Sequence, residues 1–175
     1  MYTLGIDIGS TTSKAVILKD GTEIMASSIV IATVGTDGVS QAIEDVLKDS
    51  GLDKSQISCT VATGYGGQSY QVSELSCHAL GVHHVCPDVR TVIDIGGQDA
   101  KVLSLNEQGR MVNFVMNDKC AAGTGRFLDV MANILKLDIS ELEVEAAKAV
   151  KPASISSTCT VFAESEVISQ LAAGT

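Results

Sequence analysis

The sequence predicts an α/β protein built from two repeated lobes, and three observations carry that reading. First, one short pattern occurs twice: Asp7-Ile8-Gly9-Ser10-Thr11-Thr12 follows the apolar run Tyr2–Ile6, and Asp94-Ile95-Gly96-Gly97-Gln98-Asp99 follows Thr91–Ile93. Each leads into a second apolar run, Ala15–Leu18 and Lys101–Leu105, so the pattern is strand, tight turn, strand, used twice. Second, 45% of the residues are hydrophobic but only 3% are aromatic and Trp is absent, so the core must be aliphatic. Third, the strand sets alternate with helical stripes such as Val39, Ala42, Ile43, Val46 and Leu47.

In chain order, Tyr2–Asp7, Ser13–Lys19 and Thr22–Ile31 read as three antiparallel strands, with Lys19-Asp20-Gly21 as the second turn. The spacing predicts a helix over Gly38–Ser50, stopped by Gly51. A strand at Ser58–Thr63 leads into the loop Gly64-Tyr65-Gly66-Gly67, and a short helix runs from Ser73 as its cap to Gly81. The second strand set is Thr91–Asp94, Ala100–Asn106 and Met111–Val115, with Glu107-Gln108-Gly109 as a turn. A glycine-rich loop at Ala121–Gly125 precedes a helix through Leu135 and another near Ile139–Val150. A strand at Ala153–Ser156 and a last helix near Val161–Ala172 complete the reading. The lobe boundary falls near Cys86–Asp88, giving lobes 1–87 and 88–175.

The repeated turn has a specific chemistry. Glycine lets the backbone fold back and brings its N–H groups close to an anion. Ser10, Thr11 and Thr12 add hydroxyl donors, and an Asp at each strand end can hold a hydrated divalent cation. One such turn could close any hairpin. Two of them describe a phosphate clamp.

Composition excludes other classes. The formal net charge of −9 argues against a nucleic-acid surface and against an anionic membrane surface. Glu141, Glu143 and Glu145 read as a solvated helix face. The N-terminus enters a strand without a basic region or apolar signal core, and no stretch approaches a membrane span, so a cytoplasmic protein is expected. Five widely spaced cysteines without a C-x-x-C pair are neither a disulfide framework nor a self-contained zinc site. Cys59, within the strand pattern Ile57–Ala62, reads as a small buried hydrophobe, and Cys77 and Cys86 fit the same description.

Three segments carry a finer resemblance: Asp94–Lys101, Met116-Asn117-Asp118-Lys119-Cys120-Ala121-Ala122-Gly123-Thr124-Gly125-Arg126-Phe127, and Ser156-Ser157-Thr158-Cys159-Thr160-Val161-Phe162-Ala163-Glu164-Ser165-Glu166. With them the chain, from Tyr2 to its end, resembles the activators (component A) of 2-hydroxyacyl-CoA dehydratases, a family that includes ATPase subunits of benzoyl-CoA reductase. The resemblance implies the actin-like (ribonuclease H-like) ATPase fold shared with hexokinase and the chaperone ATPases. It further implies a homodimer with one [4Fe–4S] cluster between the subunits, which passes single electrons, driven by ATP, from a donor such as ferredoxin or flavodoxin to a CoA-ester dehydratase or reductase.

On that resemblance Cys120 and Cys159 of each protomer ligate the cluster, two per chain completing the usual four thiolates about a two-fold axis. Each cysteine opens a helix, where the dipole favours a thiolate, although burial as core cysteines also fits the residues alone. Gly9, Ser10, Thr11, Thr12, Ser13 and Lys14 are expected at the ATP or ADP phosphates, with Gly96, Gly97, Gln98 and Asp99 from the second lobe. Lys14 could equally be a solvated strand residue. Asp7 and Asp94 are expected to hold Mg²⁺ through water. Glu74 matches the position of the carboxylate that orients the attacking water, with Gln98 as the competing candidate. His78, His83 and His84 read as surface or packing residues.

The implied fold also has a second half to its second lobe, with a Gly-Gly turn for the adenosine and a last helix packing back on the first lobe. Neither is found before Thr175, so the sequence reads as the N-terminal portion of such a protein, and Gly64–Ser73 reads as shorter than in the activators. A small-molecule kinase of the same fold, which needs no cluster, and a fragment with a purely structural role are the rival readings.

Overall fold

A computed structural model describes residues 1–32, 35–64, 72–117, 123–156 and 159–174. By packing, the chain divides into two units, Met1–Val92 with Leu103–Phe114, and Ile93–Val102 with Val115–Thr175.

The first unit contains β1 (Tyr2–Ile8), β2 (Thr12–Lys19) and β3 (Glu23–Ile31), then the helix α1 (Gly38–Ser50) and β4 (Ile57–Gly64). The sheet order is β3-β2-β1-β4, antiparallel except for the β1–β4 pair. A parallel pair needs a crossover, and α1 supplies it. Alternation along the strands decides what α1 covers. Leu4, paired with Ile17, and Ile6, paired with Ala15, turn one way, and they meet Ala42 and Val46 of α1 in an aliphatic core. Ile17 and Val46 are fully buried, each contributing about 1.5–3 kcal/mol. Gly51 ends α1 in the left-handed conformation at φ 68°, as its position in the sequence requires.

The helix α2 (Glu74–Val85) runs four residues past the expected stop at Gly81. Tertiary contacts override that signal: His84 Nε2 lies 3.0 Å from the Thr22 carbonyl oxygen, and Gly109 packs directly on the His83 ring. A side chain on Gly109 would enter that ring. Ala79 of α2 packs with Leu103 and Leu105 in a second core, flanked by Leu75, Val92 and Met111.

The second strand set is β5 (Thr91–Ile95), β6 (Ala100–Leu105) and β7 (Met111–Asn117), in the order β5-β6-β7. In the second unit α3 (Gly125–Leu135) is followed by a 3₁₀ turn at Ile139–Glu141, the short α4 (Leu142–Ala147) and α5 (Thr160–Ala172). The helix expected near Ile139–Val150 is thus cut to a turn plus six residues, and Asp138 and Glu141 cap the turn reciprocally. No strand forms at Ala153–Ser156. The Ser156 N–H donates to Glu166 Oε2 at 2.6 Å, so a side chain on α5 takes the place of a ladder partner. Cys59 and Cys86 are exposed rather than buried, because β4 is the sheet's edge strand and Cys86 lies just past the end of α2.

Candidate functional site

The first repeated turn begins where β1 ends. The Gly9 N–H donates to the Thr12 carbonyl oxygen at 2.9 Å, and the Thr11 carbonyl accepts from the Ala32 N–H at 3.1 Å. Asp7 and Lys14 are register partners on adjacent strands, and Lys14 Nζ donates to Asp7 Oδ2 at 2.9 Å. The two side chains remain 25% and 38% exposed, so a ligand can reach them. Asp7 Oδ1 is a buried acceptor without a hydrogen-bond partner among the described residues. A Cβ on Gly9 would stand 2.9 Å from Lys14 Nζ and 3.0 Å from the Thr12 oxygen, so the ammonium lies over the glycine. The Asp7–Lys14 pair faces away from α1 and borders a hollow of about 350 Å³ that Thr63 and Cys77 also line. Ser13 is on the opposite face, 3% exposed, with its Oγ beside Gly38 of α1.

The second turn, within the second unit, repeats the geometry. The Gly96 N–H donates to the Asp99 carbonyl oxygen at 2.8 Å, at the spacing of Gly9 and Thr12. Lys101 follows Asp94 by the interval that separates Lys14 from Asp7, and its Nζ lies 3.7 Å from Asp94 Oδ2. Here the lysine has a second carboxylate, Asp99, with both oxygens at 3.0 Å. A side chain on Gly96 would collide with Asp99 Oδ1. Two backbone bonds tie this turn to α3: the Gly125 and Arg126 N–H groups donate to the Gly96 and Gly97 carbonyls at 3.0 and 2.9 Å. The turn thereby satisfies N–H groups that a helix start leaves without an intrahelical acceptor. Lys101 was absent from the sequence-based set, although its spacing from Asp94 was a legible signal.

Gln98 is exposed on the second turn. Glu74 is the first residue of α2, and its Oε1 lies 4.0 Å from Nε2 of His78 one turn on. Cys159 is partly exposed at the N-cap of α5, where its carbonyl accepts from the Ala163 N–H. Cys120, the Tyr65-Gly66-Gly67 loop and most of the segment noted as short lie outside the described residues. The donor chemistry suits the two implied metals: strand-end carboxylates, one with an orphaned oxygen, are hard ligands for Mg²⁺, and a thiol at a helix N-cap is placed for a thiolate ligand.

Two strand–glycine turn–strand units, each with a strand-end carboxylate and a lysine set back against it, define an ATPase of the actin-like fold. More particularly, the chain belongs to the BadF/BadG/BcrA/BcrD ATPase family, whose model matches residues 4–175. It is 59% identical over 181 residues to the (R)-2-hydroxyglutaryl-CoA dehydratase activating ATPase of Acidaminococcus fermentans, covering 100% of this chain and 69% of that protein. The crystal structure of component A from that organism superposes with a TM-score of 0.92 at 57% identity, over 100% of this chain and 70% of that one. The activator of the 2-hydroxyisocaproyl-CoA dehydratase from Clostridium difficile, solved with bound ADPNP, gives 0.91 at 55% identity, over 100% and 67%. Among the described residues no helix is long and apolar enough to cross a membrane.

Proposed function

We propose that the protein carrying this chain is an ATP-driven one-electron activator of a 2-hydroxyacyl-CoA dehydratase or a related CoA-ester reductase. The observation that carries the reading is the duplicated turn, with Gly9 bonded to Thr12 and Gly96 to Asp99 in the same way. In this reading each turn is built to face nucleotide phosphates. Gly9, Ser10, Thr11 and Thr12 present backbone and hydroxyl donors, and Lys14, reachable and lying over Gly9, adds a point charge. Gly96, Gly97 and Gln98 act from the second turn.

Asp7 and Asp94 hold Mg²⁺ through its waters, and the free oxygen of Asp7 suits that task. Glu74 orients the attacking water, with His78 beside it, and Gln98 is its competitor. Ser13, turned toward α1, supports the turn from beneath. Cys120 and Cys159 from each of two protomers would hold a [4Fe–4S] cluster, which supplies the single electron. The bonds from α3 to the Gly96 and Gly97 carbonyls link the second turn to the helix that follows Cys120. A donor such as ferredoxin or flavodoxin recharges the protein, and the acceptor is the dehydratase component.

The test is anaerobic reduction of a purified 2-hydroxyacyl-CoA dehydratase by the protein, with a chemical reductant and MgATP. Activation that requires ATP and fails with a non-hydrolysable analogue supports the reading. Turnover of ATP with phosphate delivered to a small-molecule hydroxyl, and no activation of a dehydratase, replaces it with a kinase.

A further inference from the structure

The two turns differ at one position that changes the role of the lysine behind them. Thr12 in the first turn corresponds to Asp99 in the second. Lys14, with one carboxylate partner, keeps its side chain 38% exposed. Lys101 is 4% exposed, held by both oxygens of Asp99 at 3.0 Å and by Asp94 Oδ2 at 3.7 Å. A buried ammonium persists only when its charge is matched, and Asp99 supplies the match. So placed, Lys101 is poorly suited to meet a phosphate. It is well placed to fix carboxylates, because one rigidly held cation bridges the strand-end Asp94 and the turn residue Asp99. Gly96 completes the arrangement, since any side chain there would displace the Asp99 carboxylate.

We propose that Lys101 is a positioning residue that holds the carboxylates of Asp94 and Asp99 in register, so that Asp94 meets the hydrated divalent cation of the bound nucleotide in one fixed orientation. This rests on the nucleotide reading of the two turns.

Charge alone and positioning make opposite demands, and that separates them. In the intact protein, fluorescent mant-ADP binding is titrated with Mn²⁺, and bound Mn²⁺ is followed by electron paramagnetic resonance. The Asp99→Asn/Lys101→Met double variant keeps the single net negative charge of the group and replaces a buried ion pair by neutral groups of similar size, a change that folds commonly tolerate. If charge alone mattered, its Mn²⁺ half-saturation would match the parent's. Positioning predicts a half-saturation raised about tenfold or more.

Lys101→Met alone gives the second reading should the double variant not fold. Removing a positive charge would tighten Mn²⁺ on electrostatic grounds, whereas loss of positioning weakens it. Unchanged or tighter Mn²⁺ binding in either folded variant overturns the proposal. A parent protein that binds no mant-ADP, with or without Mn²⁺, overturns the nucleotide reading itself and this proposal with it.

Discussion

Lys14 reaches across the β1–β2 ladder to its register partner and donates to Asp7 Oδ2 at 2.9 Å, leaving Asp7 Oδ1 buried and without a partner among the described residues. The ammonium lies over Gly9 and remains accessible. Lys14→Met should therefore weaken MgADP binding about tenfold to a hundredfold, since a charge-assisted contact to phosphate is lost. The fold should survive, because the pair is partly exposed and worth little to stability. Equilibrium titration with a fluorescent nucleotide checks the first expectation and thermal melting the second. An unchanged affinity returns Lys14 to the role of a solvated strand residue.

The end of β4 offers a purely structural prediction. Gly64 has φ 84° and pairs with Ile8, and a side chain on it would run into the Ile8 carbonyl. Both the backbone conformation and the space exclude Cβ. Gly64→Ala should cost about 2–4 kcal/mol, from strain and a disturbed β1–β4 ladder next to the first turn. Urea unfolding measures it, and a loss under about 1 kcal/mol would show that the strand end can relax.

Glu74 and Gln98 are separated by their kinetics. If Glu74 orients the water, Glu74→Ala lowers kcat about a hundredfold and leaves KM for ATP nearly unchanged, because the interaction operates mainly in the transition state. Gln98→Ala then has the smaller effect. The reverse order of effects assigns the water to Gln98 and leaves Glu74 as a first-turn residue favoured by the helix dipole.

Strands β1 to β7, both turns and α1 were legible in the sequence because local signals and tertiary context agree there. Period-two alternation sets Leu4 and Ile17 against Asp7 and Lys14, and Gly51 supplies the left-handed stop. The misread places are those where a distant contact decides. Gly81 does not end α2, because His83 and His84 anchor the next turn. Ser156 bonds to Glu166 and not to a strand. Cys59 is exposed because β4 is an edge, and sheet order is invisible to a single strand's pattern. At the candidate site the Asp and Gly residues were evident from their repetition. Lys101 repeats the interval of Lys14 from its aspartate, but only the fold shows that Asp99 as well as Asp94 surrounds it.

The cysteines carry the distinction between an electron-transferring ATPase and any other ATPase of this fold. Cys159 stands partly exposed at the N-cap of α5, and Cys59 sits on the edge strand β4. Cys159→Ser or Cys120→Ser should abolish iron–sulfur absorbance and ATP-dependent electron transfer while MgADP still binds. Cys59→Ser should change neither.

The most direct measurement is the iron and acid-labile sulfide content of the protein purified without oxygen, combined with its mass in solution. The account predicts about four iron and four sulfide per two chains, in a dimer whose iron is lost with either Cys120 or Cys159. An iron-free protein that binds and hydrolyses MgATP would contradict it.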